Sequence, residues 1–282
     1  MSIAVFEHIN DVQDWVISQR TRGLTIGFVP TMGALHAGHR SLIDLALAHC
    51  DCVVASIFVN PTQFNNPDDL LKYPRTLSAD LELLELAGCH AVFCPGVEEM
   101  YAKDEPTRRW DFGTLTGTLE GYYRPGHFDG VLTIVKKLFL AVTPDKAFFG
   151  EKDFQQLANI LRMTQLEGLP IEIVAAPTVR EASGLAMSSR NMRLNEQERA
   201  AALCISRVLF DAAATGRGVS PQQLQSMAES GLLNEPSIKL EYCALVRASD
   251  FEPLEAWSEV AAVMLVAAYV GDVRLIDNVI ID

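Results

Sequence analysis

The feature that most constrains this chain is an alternation. Through the first 175 residues, short runs rich in apolar residues take turns with longer segments of helical period. Leu24–Val29, Cys52–Val59, Ala91–Cys94, Lys146–Phe149 and Ile171–Ala175 read as strands. Between them the spacing predicts helices. Asn10 with Gln13 forms a capping-box pattern ahead of a helix through Arg20. A second helix covers His39–Ala48. Ser78 caps a third, which carries Leu81, Leu84 and Leu86 and stops at Gly88. Val131–Val142 and Asp153–Glu167 follow, the latter ended by Gly168. Strands without polar alternation are covered on both faces, which is the pattern of a parallel sheet between helices. The expected fold class is α/β, a Rossmann-like doubly wound parallel sheet over residues 1–176, with ligands at the carboxyl ends of its strands.

Beyond residue 176 the pattern changes. Asn195 and Glu198 make a capping box for a helix through Ala214, and Ser220–Ser230 opens with Ser-Pro. Ile238–Val246, Val260–Val270 and Val273–Ile281 read as strands, the last two joined by Gly271 and Asp272 as a hairpin. Residues 177–282 are therefore expected to form a second, smaller α+β domain.

Charge and cysteine usage narrow the partners. Lys and Arg number 23 against 36 Asp and Glu, a net charge of −13, which disfavours nucleic acid as a bulk partner. The six cysteines show no C-x-x-C pair, so reduced, mostly buried thiols are expected rather than a zinc site. The segment Met1–Asn10 lacks a basic stretch before an apolar one and does not read as a leader peptide. Val260–Val270, the longest apolar run, falls short of the roughly 20 residues that span a bilayer. A cytoplasmic protein without membrane partners is expected.

The chemistry concentrates in loops at strand ends. Pro30–His39 (PTMGALHAGH) joins a strand to a helix. Gly33 and Gly38 permit close backbone approach, and a helix N-terminus offers N–H groups and a positive dipole end to phosphate. His36 and His39, three apart, would donate to oxygens that gain charge in nucleotidyl transfer. A glycine turn with two surface histidines, or a zinc pair, remains open from these residues alone. Asn60–Phe64 follows a buried strand, and the Gln63 amide can read a hydroxyl and a carboxylate together. In Gly150–Asp153, Lys152 suits phosphate, and Glu151 or Asp153 could hold Mg²⁺. Met187–Arg190 combines two hydroxyls with an arginine fork, a set suited to phosphate oxygens. Each of these three segments also reads as an ordinary polar loop or solvated cap. Arg124 and His127 lie in a Gly/Pro-rich loop ahead of a helix, with functional and structural readings both open.

His36-Ala-Gly-His39 resembles the H-x-G-H signature of the nucleotidyltransferase and class I synthetase superfamily. The whole string Pro30–His39 resembles one branch of it, the pantoate–β-alanine ligase (pantothenate synthetase) family. Four more segments match in that family's order: Phe58–Phe64 (FVNPTQF), Arg124–Gly130 (RPGHFDG), Phe149–Gln156 (FGEKDFQQ) and Arg180–Asn191 (REASGLAMSSRN). The resemblance implies ATP-dependent condensation of pantoate with β-alanine through a pantoyl adenylate, releasing AMP and pyrophosphate. It implies a homodimer with ATP as substrate and Mg²⁺ as cofactor. His39, His36 and Lys152 would be catalytic. Met32, Gly33, Ala34, Leu35, Ala37, Gly38, Gly150, Glu151, Asp153, Val179, Met187, Ser188, Ser189 and Arg190 would complete the ATP site, Val179 through its backbone beside adenine. Gln63, Gln155, Asn60 and Arg124 would hold pantoate and β-alanine. Phosphate-binding groups on both sides of residue 176 imply that the smaller domain closes as a lid, with segment 180–190 mobile until nucleotide binds.

Two positions depart from the family pattern: Ala37 and Ser183 stand where an acidic residue is frequent. Two other functions compete. Another H-x-G-H nucleotidyltransferase would need a basic site for a substrate phosphate and would have no use for the Asn-Pro-Thr-Gln-Phe segment. A non-catalytic nucleotide-binding scaffold would be expected to have lost His39 or Lys152.

Overall fold

The computed structural model describes residues 3–103 and 105–282, so the reading of Met1 and Ser2 lies outside the described residues. Among the described residues nine strands run in chain order: β1 Ala4–Phe6, β2 Ile26–Thr31, β3 Cys52–Ile57, β4 Ala91–Phe93, β5 Lys146–Gly150, β6 Glu172–Ala176, β7 Ile238–Arg247, β8 Ala262–Val270 and β9 Val273–Ile281. The α-helices are α1 Ile9–Thr21, α2 Ala37–His49, α3 Pro67–Lys72, α4 Leu77–Leu86, α5 Val97–Met100, α6 Thr114–Gly117, α7 Glu120–Tyr123, α8 His127–Val142, α9 Phe154–Leu166, α10 Glu196–Thr215 and α11 Pro221–Leu233. The chain falls into two compact units, Met1–Glu151 with Gln155–Pro177, and Lys152–Phe154 with Thr178–Asp282.

The first unit holds a six-stranded parallel sheet in the order β1-β4-β3-β2-β5-β6. Its strands are covered on both faces, and alternate residues enter different cores. Phe28, Val54, Phe93 and Ala147 join Val12, Val131, Leu138 and Ile160 on one face. Val29, Val53, Val92 and Phe148 join Ile43, Ala46 and Leu84 on the other. The doubly wound expectation therefore holds. The strand order turns back between β2 and β5, so the crevice of this sheet opens where the chain leaves Thr31 and Gly150.

The second unit packs α10 and α11 on the antiparallel sheet β7-β8-β9. The capping boxes at Asn195–Glu198 and Ser220–Gln223 both form. Lys152–Phe154 belong here because Asn278 Nδ2 donates to Lys152 O at 2.9 Å and the Phe154 ring lies 6.1 Å from Phe251. No helix among the described residues is long and apolar enough to cross a membrane.

Two expected caps are corrected. The first helix begins at Ile9 with His8 as its N-cap, and the Glu99 carboxylate accepts from Ile9 N at 2.8 Å, so Asn10 and Gln13 form no box. A side chain 90 residues away replaces the local cap. The third predicted helix is capped at Thr76 rather than Ser78, and the Thr76 hydroxyl turns to Asp80 instead of the backbone. The strand expected from Val260 starts at Ala262. β1 and the short helices α3, α5, α6 and α7 carry too few residues for a periodic signal.

The five buried cysteines behave as core side chains, and burial pushes the Cys89 and Cys243 thiols up to about 12.

Candidate active site

The loop after β2 turns on Gly33 (φ +83°) and Ala34 (φ +49°). The left-handed φ favours glycine there, and the space is tight as well, since a Cβ on Gly33 would lie 3.0 Å from Asp80 Oδ2 and 3.1 Å from Ile57 Cγ2. The loop ends in a capping box made of histidines. His36 Nδ1 accepts from Gly38 N at 3.1 Å, and His39 Nδ1 accepts from His36 N at 3.3 Å. The two rings sit 4.2 Å apart. Because each Nδ1 accepts a backbone N–H, the proton of each neutral ring belongs on Nε2. Each neutral ring thus carries an Nε2–H donor, in keeping with the donor role expected of the pair.

One correction concerns the backbone. The expectation of amides open to phosphate fails across most of this loop. Gly33 N donates to Thr31 Oγ1, Ala34 N and Leu35 N to the Asp80 carboxylate, and His39 N to His36 O. A tight turn satisfies its own donors, because a buried unpaired N–H costs roughly 1–3 kcal/mol.

On the other side of β2, the segment after β3 presents an amide pair. Asn60, 1% exposed, donates through Nδ2 to Gln63 Oε1 at 3.2 Å and to Gly130 O at 3.1 Å. Its Oδ1 accepts from Tyr101 Oη at 2.8 Å and from Thr62 Oγ1 at 3.0 Å. Burial pushes the Tyr101 phenol up, so its hydroxyl stays a donor. Asn60 is therefore saturated and acts as a support. Gln63, whose Oε1 is taken, presents its Nε2, which rests 3.0 Å from Met32 Sδ, a weak acceptor that a carboxylate oxygen would replace. His127, buried at the start of α8, donates from Nδ1 to Gln63 O at 2.9 Å. A Cβ on Gly130 would meet Thr62 O at 2.5 Å, so only glycine lets α8 approach this segment.

Gln155 does not fit its expected role. The side chain is 2% exposed, and its amide is spent on Glu120 N at 3.0 Å, Leu115 O at 3.0 Å and Thr118 O at 2.9 Å. Asn159, one turn on, donates to the same Leu115 carbonyl at 2.7 Å. Gln155, Asn159 and Met163 form an i, i+4, i+8 stripe on the buried face of α9, a period the sequence shows. Gln156, the next residue, is part-buried, and its side chain makes no hydrogen bond among the described residues. Arg124 pairs with the buried Glu120 at 3.3 Å.

Gly150 and Glu151 leave β5 at the crevice of the first unit. In the second unit, Lys152 Nζ lies 3.8 Å from Asp153 Oδ2. No group of three His, Cys, Asp or Glu side chains gathers for a metal among the described residues. Val179 O accepts from Met187 N at 2.9 Å, closing a tight hairpin with the Arg180–Ala186 bridge. Arg180 grips Asp277 through both guanidinium nitrogens, at 2.6 and 2.9 Å, and stacks over Phe210. Glu181 accepts from Arg199 and from Asn191 Nδ2. Ser188 Oγ accepts from Arg190 N at 3.2 Å and caps the short helix Ser189–Arg193. Ser183 is exposed at the hairpin tip, away from these anchors.

Sequence reasoning missed Asp80, Tyr101 and Gln156. The first two act across 45 and 41 residues, a separation no local pattern encodes.

The comparisons with known proteins agree with this geometry. Residues 4–280 match the family model described as pantoate–β-alanine ligase. A pantothenate synthetase of Porphyromonas gingivalis is 48% identical over 276 residues, covering 98% of each chain. The crystal structure of pantothenate synthetase from Thermus thermophilus superposes with a TM-score of 0.91 at 41% identity, covering 98% of this chain and 99% of that one. A pantoate–β-alanine ligase from Francisella tularensis, solved in complex with β,γ-ATP and β-alanine, gives a TM-score of 0.82 at 34% identity, covering 98% and 97%. From its two-faced parallel sheet, its histidine-capped loop and this match along nearly its whole length, the chain belongs to the pantoate–β-alanine ligase family.

Proposed function

We propose that this enzyme joins pantoate to β-alanine with ATP, through a pantoyl adenylate. The observation that carries the reading is the family match over residues 4–280, which contains all five motif segments. A carboxylate is a poor acyl donor until one of its oxygens becomes a leaving group. The pantoate carboxylate oxygen attacks the α-phosphorus of ATP, and pyrophosphate leaves. The β-alanine amine then attacks the acyl carbon, loses a proton, and AMP departs with the oxygen that came from pantoate. No covalent protein intermediate is needed.

The residues divide the work. His36 and His39 donate from Nε2 to phosphate oxygens as charge builds on them. Lys152, Ser188, Ser189 and Arg190 balance the triphosphate, and the backbones of Met32–His39 and Val179 border the nucleotide. Gln63 donates from Nε2 to pantoate, oriented by Asn60. The pantoate contact expected of Gln155 passes to Gln156, because the Gln155 amide is fully occupied within the fold. Arg124, fixed by Glu120, borders the substrate carboxylates.

Glu151 and Asp153 are the carboxylates that would hold Mg²⁺. Asp153 is about half exposed, and Mg²⁺ takes one or two carboxylates plus phosphate oxygens, so this sparse donor set fits an ion brought by the nucleotide. When bound, the ion neutralises phosphate charge. A homodimer in the cytoplasm, with residues 177–282 acting as a lid, completes the proposal.

The test is an incubation with ATP, Mg²⁺ and pantoate, with and without β-alanine. Pyrophosphate requires pantoate, and pantothenate and AMP require β-alanine as well. A different H-x-G-H nucleotidyltransferase would release pyrophosphate only with some other, phosphorylated substrate.

A further inference from the structure

Asp80 is a buried carboxylate with an unusual set of partners. It is 3% exposed, and no Lys, Arg or His side chain pairs with it among the described residues. Its Oδ2 accepts from Ala34 N at 2.9 Å and its Oδ1 from Leu35 N at 2.8 Å. The Thr76 hydroxyl lies 3.2 Å from both oxygens. It also sits in the first turn of α4, where the helix dipole favours negative charge. Successive amides beside left-handed residues form a concavity that binds anions. Here Gly33 and Ala34 supply the left-handed turn, and the protein's own carboxylate fills the concavity.

We propose that Asp80 is a positioning residue for phosphate chemistry, setting the turn that aims the His36 and His39 rings. Its last backbone partner, Leu35, directly precedes His36, the first residue of the capping box that fixes both ring tautomers. Without the carboxylate, Ala34 has no anion to hold its left-handed conformation, and the histidines leave their register. The inference rests on the ATP-dependent reading above.

Asp80→Asn tests it with nearly the same shape. The amide can accept from one backbone N–H but presents an NH₂ to the other. The expected result is a loss of about 10²-fold in kcat/KM for ATP, the size of a small misplacement of catalytic donors, with the dissociation constant for pantoate within about twofold. Leu84→Ala is the control, since Leu84 is fully buried on the same helix. It should lower thermal stability at least as much yet leave kcat/KM for ATP within about twofold. A second readout needs no substrate: ¹⁵N spectra of the ring nitrogens should show Nε2–H tautomers in the unsubstituted protein and mixed tautomers in Asp80→Asn. If the unsubstituted enzyme makes no AMP, the functional reading fails while these spectra still decide the role of Asp80. If Asp80→Asn does not fold, Thr76→Val decides, with the same direction of effect at smaller size. Unchanged ATP kinetics and ring spectra in the folded variant, or an equal ATP defect in Leu84→Ala, overturns the proposal.

Discussion

Two segments assigned to phosphate, 30–39 and 180–191, reach rigidity by opposite routes. The first is built on a buried acid that no basic side chain pairs among the described residues. Asp80 collects two amides and a hydroxyl, and the chain around it adopts left-handed turns at Gly33 and Ala34. The second is built on ion pairs: Arg180 with Asp277, and Glu181 with Arg199. The difference lies in what each leaves for a ligand. Around Asp80 the amides of Gly33, Ala34 and Leu35 are consumed, and the two imidazole rings follow in the capping box. In the hairpin the fixed arginines are consumed, and Ser188, Ser189 and Arg190 lie just beyond them. Neither segment has the open glycine-rich cradle that the motif alone suggests; each carries its functional side chains on a framework whose own polar groups are already spoken for.

The contrast breaks first at the histidines. His39→Ala should lower the rate of pantoate-dependent pyrophosphate release by about 10²–10³, typical of removing one preorganised donor, with the fold retained. Circular dichroism together with single-turnover kinetics separates the two effects, and near-normal turnover in a folded variant refutes the role.

Arg180→Ala probes the other framework. It strands the Asp277 carboxylate, which is 4% exposed, and should destabilise the protein by about 3–5 kcal/mol in urea unfolding. A loss below about 1 kcal/mol would mean the pair behaves like a surface salt bridge.

The two glutamines sharpen the distinction between binding and support. Gln63→Ala should weaken pantoate by roughly 1–3 kcal/mol and spare ATP. Gln155→Ala should instead lower stability, by a similar amount, because it unseats Glu120 N and the carbonyls of Leu115 and Thr118. If Gln155→Ala weakens pantoate with stability intact, the assignment to Gln156 is wrong.

The smallest effect concerns motion in the hairpin. Glu181, Gly184, Met187 and Asn191 all donate their amides to backbone carbonyls. Their hydrogen exchange should be slow with or without ATP. Added protection by ATP should be confined to 188–190. Fast exchange throughout 180–190 that ATP abolishes would instead support the mobile segment expected from the sequence.

The sequence made the layered architecture plain because it is encoded by local periodicity. All-apolar strands such as Val53–Ala55 admit no solvent face, and the Asn195 and Ser220 boxes are complete within four residues. Where a distant side chain took over, local reading failed: Glu99 displaced the Asn10 cap, and Asp80 redirected the amides of the histidine loop. Motif strings located the candidate site but not the division of labour inside it. Gln155 and Gln156 are indistinguishable as letters. Helical phase separates them, since one shares the inward stripe with Asn159 and the other does not.

The adenylate is the central claim, and oxygen transfer tests it most directly. Pantoate labelled with ¹⁸O in its carboxylate, incubated with ATP, Mg²⁺ and β-alanine, should give AMP carrying one labelled oxygen on its phosphate, because the attacking oxygen leaves with AMP. Label appearing in inorganic phosphate, with ADP as the nucleotide product, would contradict the account and establish an acyl phosphate instead.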